Sequence, residues 1–160
     1  MTKNYDKLVF EKEAEEAVRF YTSIFKNSKI ESIARYTEEG FEHHREPAGS
    51  MMTIEFTLDG QEFLALNAGP IFNEAISLIV NCEDQNEVDY YWKRLCEGGD
   101  EKAQVCGWLK DKFGVSWQVA SLVLNEMILD PDVVKVNRVL KAMFQMKKIN
   151  IAELEAAYGK

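Results

Sequence analysis

One pattern occurs twice in this chain, and it constrains the fold more than any other feature. Leu8-Val9-Phe10-Glu11 is echoed by Leu78-Ile79-Val80-Asn81, an offset of 78 − 8 = 70 residues. At the same offset Glu16-Ala17-Val18-Arg19-Phe20-Tyr21 falls on Asn86-Glu87-Val88-Asp89-Tyr90-Tyr91. Strand, helix and register hold one spacing, so the chain reads as two copies of a strand-helix-strands unit.

In the first copy, Leu8 to Phe10 is a short apolar run, and from Glu13 onward Ala14, Ala17, Val18, Tyr21 and Phe25 recur at helical spacing, with Asn27 as the stop. Ile30 to Tyr36 is strand-like. Met52 to Leu58 alternates apolar Met52, Ile54, Phe56 and Leu58 with Thr53, Glu55 and Thr57. Asp59-Gly60 supplies the positive φ angles of a two-residue turn into Gln61 to Asn67, which predicts a hairpin. Thr37 to Gly49 is a charged loop. After the connector Asn67-Ala68-Gly69-Pro70, the second helix carries Val88, Tyr91, Trp92 and Leu95 on its apolar face, and Gly98-Gly99 end it. Shorter strands are expected around Gln104 to Lys110 and Val115 to Ala120, with Lys112-Phe113-Gly114 as the turn.

Within a single domain, 1–160, the first module spans about 5–67, the second about 74–120 and a helical tail about 121–160. In the tail Asp132 caps a helix with Val133, Val136, Leu140 and Met143 on one face, and Asn150 caps a second, Ile151 to Tyr158. Such a tail covers either its own chain or a second subunit, and the first is the simpler reading.

A chain of 160 residues, 46% of them hydrophobic, fills a core without a disulfide or a structural metal. The balance of 19 Lys+Arg against 27 Asp+Glu, −8 at pH 7, opposes the phosphate attraction behind nucleic-acid and anionic-membrane binding, so neither is an expected partner. Cys82, Cys96 and Cys106 cannot all pair within one chain and match no zinc spacing; they read as reduced thiols of a cytoplasmic protein. The first residues are polar, and no window reaches the roughly 18 uninterrupted apolar residues of a membrane span, which disfavours secretion and membrane insertion.

Three stretches carry a family resemblance. They are Ala14-Glu15-Glu16-Ala17-Val18-Arg19-Phe20-Tyr21, Leu58-Asp59-Gly60-Gln61-Glu62-Phe63 with Leu66-Asn67-Ala68-Gly69-Pro70, and Cys106-Gly107-Trp108-Leu109-Lys110-Asp111 with Gly114-Val115-Ser116-Trp117-Gln118. They resemble the PhnB-like branch of the vicinal oxygen chelate superfamily, the glyoxalase, bleomycin resistance and dioxygenase-like group, from about Leu8 through the tail to Tyr158. The resemblance implies an α+β fold of two βαβββ modules whose curved mixed sheets form a glyoxalase-like cup around a small organic ligand, plus the helical tail, commonly completed in a homodimer.

Metalloenzymes of the superfamily hold one divalent cation with His, Glu or Gln from four strands, leaving open positions for two substrate oxygens. Carried onto this chain, the positions fall at Asp6 or Tyr5, at Ala65, at Ala75 or Ile76, and at Gln118. Alanine and isoleucine have no donor atom, so at most Asp6 and Gln118 coordinate, and no cofactor is expected. A weakly held divalent metal on Asp6 and Gln118, with Glu55 as general base in a lyase, isomerase or dioxygenase-like enzyme, is the alternative. The branch also carries the label of demethylubiquinone methyltransferase, but no glycine-rich turn after a strand is present to cradle a nucleoside cofactor.

Asn67, Ser77, Ser116 and Gln118 are neutral polar residues in or beside apolar strands and are the candidate ligand-binding residues, Gln118 foremost. His43 and His44 sit on a charged loop, where neighbouring side chains diverge. Cys106 needs a base or a positive field to become a thiolate; Lys110 is near in sequence, but an inert, partly buried cysteine is the simpler reading. Glu55 reads as an outward-facing residue of a half-solvated strand. Trp92, Trp108 and Trp117 read as core.

Overall fold

The computed structural model describes residues 5–39, 41–69 and 72–159. It divides into two compact units, Met1–Phe72 and Asn73–Lys160.

The first unit runs β1 (Asp6–Phe10), α1 (Ala14–Ile24), β2 (Lys29–Arg35), α2 (Phe41–His44), β3 (Met51–Leu58) and β4 (Gln61–Asn67). Its strands lie in the order β1-β4-β3-β2, with β1 parallel to β4 and the other pairs antiparallel. Leu8, Phe10, Ile54, Phe56, Phe63 and Ala65 are buried on the helix-packed side, against Ala17, Val18 and Tyr21 of α1. Burying side chains of this size stabilises the fold by about 1.5–3 kcal/mol each. Their strand neighbours Val9, Thr53, Glu55, Thr57, Leu64 and Leu66 are half-buried and face the other side. Asp59 and Gly60 take φ of +48° and +84°, so the expected two-residue hairpin turn is present.

The second unit runs β5 (Leu78–Cys82), α3 (Gln85–Leu95), a 3-10 turn (Glu101–Ala103), β6 (Trp108–Lys110), β7 (Ser116–Ser121), α4 (Leu122–Met127), α5 (Val133–Met143) and α6 (Ile151–Gly159). Asp84 caps α3 by accepting from Glu87 N at 2.9 Å. Val80, Cys82, Leu109, Trp117 and Val119 are buried, as are Val88 and Leu95 of α3. The sheet order is β5-β7-β6.

Two expectations are corrected here. Among the described residues the second module has three strands, as the residue spacing has it, where the βαβββ plan of the resemblance implies four. After Gly98-Gly99 the chain turns at Asp100, whose carboxylate caps the 3-10 turn at Lys102 N, and Cys106-Gly107 take φ of +51° and +84°, which confines β6 to three residues. Nor do the sheets curl or close into a glyoxalase-like cup: both are open, with β1 and β2 at the edges of one and β5 and β6 at the edges of the other. Closure requires long, staggered strands joined edge to edge, and the three-residue edge strand β6 is too short to supply one.

The tail packs on its own chain. Met146 O and Lys147 O each accept a 2.8 Å bond, from Cys106 N and Gly107 N respectively. The side chain of Gln85 donates to Ile149 O at 3.1 Å and accepts from Ile151 N at 2.8 Å. Lys148 Nζ meets Asp89 at 2.5 Å. Val139, Ile149 and Leu154 are fully buried. Asp132 and Asn150 cap α5 and α6 as expected, but α5 turns Val139 inward and leaves Val133 66% exposed, so its buried face is rotated from the expected one. Among the described residues no helix is long and apolar enough to cross a membrane.

Candidate functional site

Strand alternation in the second sheet separates two faces. Trp117, Val119 and Ser121 of β7 point into the core, and Ser116, Gln118 and Ala120 point to the opposite face, where Ser116 is covered and Gln118 and Ala120 are half-buried. In register with Gln118 lie Ile79 on β5 and Trp108 on β6. Ile79 is 56% exposed, a large apolar side chain left uncovered beside a half-buried amide. Gln118 Nε2 donates to Ser77 Oγ at 2.8 Å, while its Oε1 accepts no hydrogen bond from the described residues. Ser116 is buried and pairs with Lys110. Lys110 forms an ion pair with Glu74, in the turn before β5. That bond holds the Glu74 carboxyl below its ordinary range. Three of the four candidate ligand-binding residues, Ser77, Ser116 and Gln118, thus come together on one face.

Asp111 holds this face in place. Its buried carboxylate accepts from Phe113 N at 2.9 Å, Val115 N at 3.0 Å and Trp117 Nε1 at 2.8 Å. It fixes the β6–β7 turn and anchors β7 one residue before Gln118.

The fourth candidate, Asn67, lies in the first unit and is engaged at both ends of its amide. Oδ1 accepts from Ala14 N at 3.1 Å, and Nδ2 donates to Lys12 O at 3.1 Å and Met51 O at 3.4 Å. It ties the start of α1 to the start of β3 and the end of β4, a fixing role with no donor left for a ligand.

Glu55 lines a cavity of about 290 Å³ with Tyr5, Glu31, Phe56 and Glu62. Asp6 lines a neighbouring one of about 500 Å³ with Tyr5, Thr57, Gly60, Gln61 and Glu62. Gln61 Nε2 donates to the Asp6 carboxylate at 2.6 Å. The charged loop expected over Thr37 to Gly49 holds the short helix α2, and His44 at its end is tilted over Tyr36 at 4.4 Å with Nδ1 accepting from Glu46 N at 3.0 Å. His43 is exposed beside Glu42.

The donor set does not fit the superfamily's divalent metal. Ala65 is fully buried on the helix-packed side of β4, Ala75 and Ile76 lie in the turn before β5, and Asp6 and Gln118 already bond Gln61 and Ser77. Among the described residues no group of three or more His, Cys, Asp or Glu side chains is placed to hold a metal ion. Burial pushes the Cys82 thiol up to about 12 and that of Cys96 up to about 11, far from a reactive thiolate.

Sequence reasoning missed Lys110, Glu74 and Trp108 as members of this face. The strand pairing of Lys110 with Ser116 was the available signal for the first, once β6 and β7 are aligned.

A family model described as 3-demethylubiquinone-9 3-methyltransferase matches residues 2–120. The match stops before α4, so the helical tail lies outside it, short of the Tyr158 to which the sequence resemblance extended. Among solved structures, a PhnB protein from Bacillus cereus, described as a 3-demethylubiquinone-9 3-methyltransferase, is 37% identical with a TM-score of 0.65, over 75% of this chain and 99% of that one. A protein from Pseudomonas aeruginosa is 20% identical with a TM-score of 0.57, over 76% and 98% of the two chains. A fosfomycin resistance protein from Listeria monocytogenes is 14% identical with a TM-score of 0.52, over 79% and 97%. The last two are likenesses of fold. No curated protein matches. From the shared strand-helix-strands units, the matched residues and the Bacillus cereus relative, the chain belongs to the 3-demethylubiquinone-9 3-methyltransferase family, the PhnB-like branch of the vicinal oxygen chelate superfamily.

Proposed function

We propose that the chain binds a small organic molecule on the open face of its second sheet, without the superfamily's metal, using Gln118, Ser77 and Ser116 as polar contacts and Trp108 and Ile79 as apolar ones. The observation that carries this reading is the half-buried Gln118 amide, anchored at one end by Ser77 and unused at the other, beside the uncovered Ile79. A few placed polar groups among apolar side chains fix the orientation of a small molecule in its site. Neither Asp6 nor Glu55 belongs to this face, which leaves the metal-enzyme alternative without an observation in its favour. The methyl transfer in the family's description has no matching glycine-rich turn after a strand.

A thermal-shift screen of polar and aromatic small molecules tests the reading. A ligand present at 100 times its dissociation constant adds about 2.7 kcal/mol of stability, and the shift is expected to vanish in Gln118→Ala. A screen with no hit, or hits indifferent to that substitution, would contradict it. The homodimer implied by the family resemblance belongs to the same proposal. Sedimentation equilibrium supports it with a mass of twice the 18.4 kDa chain and removes it with the mass of one chain.

A further inference from the structure

We infer that the molecule bound on this face is a small organic acid whose carboxylate is anchored by Lys110, and that Glu74 is the chain's own stand-in for that carboxylate. The inference rests on the proposed function and narrows it to a ligand class.

Lys110 stands directly opposite Ser116 in the β6–β7 ladder, and Trp108 opposite Gln118. Paired residues of antiparallel strands project to one side, so the Lys110 side chain shares the face with Ser116, Gln118 and Trp108. That side chain is only 26% exposed. A lysine ammonium has three donors and no acceptor, and one drawn this far out of water needs an anion. Glu74 supplies it, yet Glu74 is 68% exposed and sits in a turn instead of on a strand. An ion pair whose carboxylate is this exposed is weak and exchangeable. The same turn leads within three residues to Ser77, the partner of Gln118.

A ligand carboxylate can therefore replace that of Glu74 on Lys110, charge for charge, while the ligand's apolar body covers Trp108 and Ile79. The exchange leaves the ammonium paired throughout and releases Glu74 to water, where a carboxylate is well solvated. A neutral molecule of the same shape has no negative charge to offer Lys110 and leaves Glu74 in place. Binding and self-pairing compete, so the fraction of molecules with Lys110 open sets the apparent affinity.

Benzoate and its neutral counterpart benzamide are the probes, titrated into the whole nitrogen-15-labelled chain while the Gln118 side-chain amide and the Trp108 indole are followed by NMR. Benzoate is expected to shift both signals and to bind about tenfold or more tightly than benzamide. In Glu74→Gln the benzoate affinity rises up to about fivefold and that for benzamide is unchanged. In Lys110→Met benzoate weakens about tenfold or more, and Lys110→Arg restores it. Benzoate affinity unmoved by Lys110→Met or by Glu74→Gln overturns the inference. If benzamide shifts Gln118 as benzoate does, with equal affinity, the acid class is wrong and the binding face stands; if neither probe moves Gln118 in any variant, the inference falls. The thermal-shift screen then decides the binding face by itself.

Discussion

At Cys106 and Gly107 the backbone enters the left-handed region twice in succession, and the second position tolerates no side chain. A Cβ at Gly107 would lie 2.8 Å from Val119 O and 3.1 Å from Ile149 Cγ1, and φ there is +84°. Gly107→Ala is expected to cost about 1–3 kcal/mol in urea unfolding, and a neutral result would contradict the packing described. Asn67→Ala leaves the Ala14 N–H and two carbonyls without their partner, with an expected loss of about 1–3 kcal/mol and no change in ligand affinity measured on the same protein. At this scale the sequence was legible in part. Gln118, Ser116 and Ser77 stood out as polar residues among apolar neighbours, and strand alternation places the first two on one face. Asn67 stood out for the same reason, but its role depends on where the starts of α1 and β3 lie in space. The Lys110–Glu74 pair depends on how the turn before β5 folds back, which no local pattern encodes.

The tail is the element that departs furthest from the family, since the matched residues end at 120. It is nonetheless integral to the second unit, with Ile149 wholly buried beside Gly107 and the backbone of Met146 and Lys147 bonded to the Cys106–Gly107 turn. Ile149→Ala is expected to destabilise the chain by about 2–5 kcal/mol, measured by denaturant unfolding. Lys148 and Gln85 hydrogen-bond Asp89 and hold its carboxyl below the ordinary aspartate range. A lowered folded-state value gives stability that is present above the unfolded value and lost as pH falls through the folded one. The Asp89 part of the link between tail and α3 is thus complete above about pH 5 and drains away below about pH 4, while the Gln85 bonds to Ile149 O and Ile151 N do not titrate. Hydrogen exchange across 146–151 is the readout: protection beyond the intrinsic pH trend should fall below about pH 4, and protection indifferent to pH there would contradict the role given to Asp89. The caps at Asp132 and Asn150 and the Asp59-Gly60 hairpin were readable because each depends on a few adjacent residues. The three strands of the second module were readable too, but the shortness of the middle one was not, because the positive-φ Cys106–Gly107 turn before β6 is bonded to the tail, about forty residues away in sequence.

For the whole molecule, the two units repeat a strand-helix-strands plan on open sheets of four and three strands. The duplication and the α+β class were visible in the spacing of apolar residues. The cup came from the family resemblance, and the short second sheet does not support it. With no donor atom at Ala65, nor at Ala75 or Ile76, binding is assigned to Gln118, Ser77, Ser116 and the Lys110 ammonium in place of a chelated ion. Dialysis against a chelator should accordingly leave the thermal midpoint and ligand affinity unchanged; stoichiometric metal whose removal abolishes binding would contradict that assignment. The central claim, a small-molecule site on the open face of the second sheet, is tested most directly by amide NMR of the labelled chain against a mixture of small organic acids and neutral aromatics. The account predicts shifts concentrated at Ser77, Ile79, Trp108, Ser116 and Gln118 and lost in Gln118→Ala. Shifts confined to the Glu55 and Asp6 cavities of the first unit, or no shifts at any concentration tested, would contradict it.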